Sequence, residues 1–97
     1  MEMAGYRINR QITELGEHVR GWRMVLGLTA QQVAERADIT RDTLRRIESG
    51  NPNVSFNSVA QVFRALGVLD RVVDTVDPLN SDIGRLRADR LTRRRAR

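Results

Sequence analysis

The sequence predicts an all-α fold: a five-helix domain followed by a basic C-terminal tail. Three observations carry that expectation. Apolar residues recur at intervals of three and four from Ile8 to Leu26, the period of one helix face. Two helix-start signals, at Thr29 and Thr40, stand so close together that only a tight turn fits between the helices they open. Beyond them, Ser55 and Leu69 begin two further short segments with apolar faces, before Asp77-Pro78 stops the pattern.

Residues 1–7 carry no such stripe and are expected to be a loose end. The first helix then spans Ile8 to Leu26, with Ile8, Ile12, Leu15, Val19, Trp22 and Leu26 along one side and Trp22 assigned to the core. Gly16 and Gly21 each weaken a helix by about 1 kcal/mol relative to alanine, so close packing is the expected reason for Gly16. Gly27 ends the helix.

The rest of the chain is organised around Leu28 to Gly50. Thr29 is a good N-cap, Gln32 completes a capping box, and Leu28 can staple against Val33. Thr40 is the second N-cap, with Ile39 placed to staple against Leu44. Ala37-Asp38 closes the first of these helices, and Gly50 can take the left-handed conformation after the second. Two helices of about eight residues joined so briefly must cross steeply, as a helix-turn-helix unit does. Val33, Ala34 and Ala37 face inward from one, Leu44 and Ile47 from the other. At roughly 100° per residue, Asp42, Arg45, Arg46 and Ser49 then point away from the core, with Arg41 on the flank. The free surface of this helix is thus expected to carry Arg41, Asp42, Thr43, Arg45 and Arg46. Solvation is the ordinary fate of exposed arginines; directly after a capped helix and a tight turn, the same residues read as a DNA-contacting surface.

The loop Asn51-Pro52-Asn53-Val54 has turn chemistry, and Asn51 and Asn53 offer uncharged donors within reach of a phosphate or of water. Ser55 caps a fourth helix with Val59, Val62, Phe63 and Leu66 on one face, ended by Gly67. Leu69 to Val76 forms a fifth, with Val72, Val73 and Val76 turned one way. Those valines exceed what docking a short terminal helix needs, so they are expected to form a dimer seam. In residues 79–97, Ser81 caps a weak helix carrying Ile83, Leu86 and Leu91 between arginines. This segment is expected to be flexible or weakly ordered alone and to fold on a partner.

Leu15-Gly16, Val19-Arg20, Arg23, Gly27-Leu28-Thr29, Ala34, Ala37, Leu44, Ile47-Glu48, Gly50, Ser55 and Ala65-Leu66-Gly67 together resemble the phage-repressor-like (XRE, Cro/repressor) helix-turn-helix family, over about residues 8 to 76. The resemblance implies a sequence-specific DNA-binding repressor, acting as a homodimer on double-stranded DNA with a pseudo-palindromic operator. It also implies a buried ion pair between Arg23 and Glu48, each beside a core position. The family usually has a Gln where this chain has Ala30; Gln31 is the candidate replacement for the phosphate contact that Gln makes. The ending DPLNSDIGRLRADRLTRRRAR resembles the tails of HipB-like antitoxins, whose partners are HipA-like kinase toxins.

Within that reading Arg41, Arg45 and Arg46 donate to guanine O6 and N7 or to phosphates. Asp42 either accepts from cytosine N4 or simply faces the helix dipole. Thr29, Gln31, Thr40, Ser49, Asn51 and Asn53 are the candidate phosphate contacts, helped by the helix N-termini. Composition narrows the alternatives. Ninety-seven residues allow one domain, and aromatics at 4% leave an aliphatic core. There is no cysteine and one histidine, His18, so neither a thiolate metal site nor a triad can be built and no cofactor is expected. No apolar run approaches a membrane span, and a cytoplasmic location is expected. Residues 81–97 hold seven of the seventeen arginines and two of the twelve acids, for +5, which leaves ten of each sign in residues 1–80. A basic tail beside a neutral domain points to a polyanion or an acidic partner. An enzyme is disfavoured, for no nucleophile–base pair or glycine-rich phosphate loop is present. A protein-interaction module whose helix-turn-helix is not used for DNA remains the alternative class.

Overall fold

The computed structural model describes residues 2–95, with side chains described for residues 5–92. Helix α1 (Glu2–Val25) begins well before Ile8, so the loose end expected over residues 1–7 is helical from Glu2. An existing helix extends at little cost once nucleated, and Arg7 and Arg10 are good helix formers. Arg10 pairs with Glu14 one turn on, at 3.4 Å. Then come α2 (Ala30–Ala37), α3 (Arg41–Glu48), α4 (Phe56–Ala65) and α5 (Leu69–Val76), so the all-α expectation holds. Three of these open on a hydroxyl cap: Thr29, Thr40 and Ser55 each accept the N–H of the residue three further on, at 3.0 Å. Helix α5 has no such cap and is set instead by the buried Val68.

The core is aliphatic and small. Val33, Leu44 and Val62 are its most buried large side chains, with Val19, Ala34, Ala37, Ile47, Leu66 and Val68 around them. Helix α2 lies across α4, and Arg64 of α4 donates to the Arg36 carbonyl at 2.7 Å to tie their ends. The turn between α2 and α3 passes through Asp38 in the left-handed region, φ 56°. The N–H groups of Asp38 and Ile39 return to the Glu35 and Ala34 carbonyls and close the last turn of α2.

Helix α1 meets α3 where both backbones can approach. A Cβ on Gly16 would strike the carbonyl oxygens of Ile47 and Glu48, which explains that glycine by close packing. Gly50, at φ +79°, also lies against Thr13 of α1, so it is required twice over. Only Val19 of the α1 apolar stripe is fully buried. Leu15 is 53% exposed, and Trp22, expected in the core, is 36% exposed with the Arg71 guanidinium 5.0 Å from its ring centroid. The reason is geometric: α2, α3 and α4 already fill the centre, and α1 crosses their edge.

In the tail a 3-10 turn (Pro78–Asn80) leads to α6 (Asp82–Leu86), which opens at Ser81 as the sequence predicts, and then to α7 (Asp89–Arg95). Asp77 caps the turn, Ser81 accepts from Gly84 N–H at 3.0 Å, and Arg85 donates to the Leu79 carbonyl at 3.0 Å. Gly84 is the enabling residue, since any Cβ there would collide with the Pro78 carbonyl. Ile83, Leu86 and Leu91 stay exposed on this ordered segment. The side chains of Arg93, Arg94 and Arg95, and all of Arg97, lie outside the described residues. Among the described residues no helix is long and apolar enough to cross a membrane.

Candidate nucleic-acid interface

Leu44 and Ile47 fasten α3 to the core, and that single apolar edge turns the rest of the helix outward. Arg41, Asp42, Arg45 and Arg46 are all exposed, as the helical spacing requires. Asp42 links the two later arginines: Arg45 Nη2 donates to Oδ1 at 2.6 Å, and Arg46 Nε lies 3.1 Å from Oδ2. The hydrogen bond from Arg45, with the positive charge of both arginines, holds the Asp42 carboxyl below the usual carboxylate range. Thr43 is only half exposed; its N–H is taken by Thr40, and its hydroxyl oxygen accepts from Thr40 Oγ1 at 2.9 Å. It therefore belongs to the cap more than to the free surface.

Beside these residues lies a cleft of about 610 Å³, lined by Arg20 of α1, Ala30 of α2, and Arg41, Asp42, Leu44, Arg45, Glu48 and Ser49 of α3. Arg20, Arg41 and Arg45 outnumber Asp42 and Glu48 along the cleft, Glu48 is already paired with Arg23, and Arg46 stands beside Asp42, so positive charge gathers here in a segment, residues 1–80, that is neutral as a whole. Such a concentration attracts a polyanion and sets its side of approach.

A family model described as a helix-turn-helix domain matches residues 14–76. The chain belongs to that helix-turn-helix family. Neither the curated proteins nor the solved structures gave a match. A helix-turn-helix domain points to a DNA-binding regulator, with α3 as its recognition helix and α2 as the helix before it. The matched span ends with α5, so α6 and α7 are additions to the domain.

The structure brings Arg23 and Glu48 together behind the recognition helix. Arg23 donates from Nε to Oε2 at 2.8 Å and from Nη2 to Oε1 at 3.0 Å. The side chains are 17% and 13% exposed, so the pair is mostly, not wholly, withdrawn from water. Hydrogen bonding to Glu48 raises the Arg23 pKa further above its ordinary value. Arg23 Nη1 also reaches the Leu28 carbonyl at 3.5 Å, so one guanidinium ties α1, the entry to α2 and the end of α3. That is a bidentate fork in its usual role.

The candidate phosphate contacts divide. Thr40 and Ser49 border the recognition helix, and Ser49 Oγ donates to the Arg46 carbonyl at 3.1 Å. Thr29 has spent its backbone N–H on Gln32 Oε1, 2.8 Å away, so the capping box leaves that donor no capacity for DNA. Gln31, the expected replacement for the Gln missing at Ala30, lies exposed on α2. Its Nε2 donates along α2 to Glu35 at 2.8 Å, and it does not line the cleft. Asn51 accepts the Asn53 N–H at 2.8 Å and lines an apolar groove with Ile12, Pro52 and Phe63, not the cleft. Asn53 is exposed in the same loop. Arg20 is the residue that sequence reasoning passed over. Its signal was there: it sits one turn before Arg23, on the helix that borders the recognition helix.

Proposed function

We propose that this protein is a homodimeric, sequence-specific repressor, in which α3 enters the major groove of a pseudo-palindromic operator while α2 lies across the backbone. The observation that carries the reading is the arginine surface of α3: three long cations on a capped helix whose opposite edge is locked to the core. Arg41 and Arg46 are assigned to base edges and Arg45 to both bases and phosphates. Arg20 is added as a phosphate contact from α1, taking the place left by Ala30.

Dimerisation is supported by uncovered apolar surface. Val72, Val73 and Val76 are exposed, and with Leu15, Trp22 and Phe63 two of them line an apolar groove of about 300 Å³. Pairing there would set two recognition helices about 34 Å apart, one turn of the duplex. The tail supports a finer reading. Ile83, Leu86 and Leu91 are exposed between arginines, which suits a protein surface with acidic patches better than a purely electrostatic arm. We assign it to a HipA-like kinase toxin, making the protein the cytoplasmic, autoregulating antitoxin of a type II pair. A stand-alone phage-type repressor would share the DNA site and lack that partner.

Selection of duplexes from a random library by the full-length protein tests the DNA reading. A pseudo-palindrome is expected, and Arg46→Ala should relax preference at one position per half-site, costing about 1–3 kcal/mol there. No enrichment over input, or a preferred sequence untouched by both Arg41→Ala and Arg46→Ala, would refute it.

A further inference from the structure

Three of the charges on α3 form one unit. Asp42 stands one turn before Arg45 and Arg46, and each of its oxygens faces one of them, at 2.6 and 3.1 Å. The core does not ask for this carboxylate, and facing the helix dipole from the first turn does not require that it hold two arginines. Its side chain is 53% exposed, it lies on the side of α3 away from Leu44 and Ile47, and Thr40 already caps the helix. The carboxylate holds one N–H of each guanidinium and sets a negative charge beside both.

Consider what each ligand meets. A phosphate approaching Arg45 or Arg46 finds the Asp42 charge well inside the roughly 8–10 Å over which salt leaves charges unscreened, and it must displace an existing contact. A base edge carries no net charge. Each guanidinium has five N–H donors, of which Asp42 holds one, so the remainder of the fork can still donate to guanine O6 and N7. The spare lone pairs of Asp42 can accept from cytosine N4 across the same pair.

We infer that Asp42 is a specificity-determining residue: it weakens the hold of Arg45 and Arg46 on the DNA backbone relative to their hold on the edge of a G·C base pair. The inference rests on the DNA-binding reading and deepens it by naming the ligand. Among the described residues no carboxylate pairs with Arg41, which stays available to phosphate or base. The division leaves Arg41 unrestrained and biases Arg45 and Arg46 toward discrimination. Discrimination here comes from making the wrong contact worse, the usual second half of specificity.

Asp42→Asn removes the charge and keeps the shape. Full-length protein is titrated over a salt series against the selected operator and against random duplex, with Glu17→Gln on α1 as a control for one unit of net charge elsewhere. Affinity for random duplex should rise about five- to tenfold near 0.1 M salt, with the log–log salt slope steeper by about one, because one more phosphate contact forms. Operator affinity should gain less, so the ratio of the two falls. Random-duplex affinity and slope equal to those of Glu17→Gln would overturn the inference. A wild-type protein that binds no duplex refutes the DNA reading instead, and heparin chromatography then decides the clamp. Asp42→Asn eluting at higher salt than Glu17→Gln upholds it, and co-elution sinks it.

Discussion

At the scale of single residues, two glycines in one helix separate structural need from tolerance. Gly16 and Gly21 both cost α1 about 1 kcal/mol in helix propensity. Only Gly16 has a reason, because α3 ends against it. Gly16→Ala should therefore destabilise the domain by about 1–3 kcal/mol despite alanine's better propensity, since backbone carbonyls cannot step aside. Gly21→Ala meets nothing within 4 Å and should stabilise by up to about 1 kcal/mol. Paired thermal melts check both signs, and a Gly16→Ala protein at least as stable as wild type would contradict the packing argument. The charges follow the same logic. Arg23 and Glu48 satisfy each other out of water, so removing one would strand the other at a cost of about 2–4 kcal/mol, below the fully buried limit. Asp42 is an exposed acid with a lowered pKa. Its contact with the arginines is complete above the ordinary carboxylate range and is lost as pH falls through the lowered value, so the clamp persists around neutrality.

At the scale of elements, α1 and α5 are the incompletely used ones. Helix α5 buries none of its own residues, and Val72, Val73 and Val76 range from 38% to 75% exposed. A helix of eight residues does not persist on propensity alone, so covering those valines would stabilise the element as well as the assembly. If the seam lies there, Val73→Asp or Val76→Asp yields a folded monomer with weakened operator binding, because an aspartate in an apolar contact is desolvated without a partner. Sedimentation at micromolar concentration, alongside circular dichroism, checks this. A dimer that survives both substitutions would move the seam to another face.

At the scale of the whole molecule, charge and apolar surface are kept apart. The cleft beside α3 is cationic, while Ile12, Leu15, Phe63, Trp22 and Val76 line adjoining apolar grooves elsewhere on α1, α4 and α5. The tail adds a third surface with arginines and apolar residues interleaved. On the proposed reading, a chain ending at Pro78 should keep its operator preference and lose the proposed kinase partner in pull-downs from the native host. If both forms recover the same proteins, and truncation only flattens the salt dependence, the tail is an electrostatic arm.

Local chemistry is where the sequence by itself was decisive. Thr29, Thr40, Ser55 and Ser81 each announce a helix through an interaction spanning three residues, and all four caps form, Thr29 with the Gln32 it was paired with. The outward face of α3 was equally legible, because one narrow apolar edge leaves its other residues nowhere else to point. The stripe from Ile8 to Leu26 showed a helix but not what would cover it. Burial depends on which neighbours reach a face, and α2 to α4 leave room for Val19 and not for Leu15 or Trp22. The extra turns of α1, the seating of the tail helix against the Pro78 turn and the sharing of Asp42 between two arginines were likewise settled only in three dimensions. Each depends on a close approach or a side-chain direction: Gly84 beneath the Pro78 carbonyl, Asn51 turned to its own loop, Gln31 turned to Glu35. Spacing along a chain fixes which residues share a face; which of them is left free to bind is decided by the contacts the others have already made.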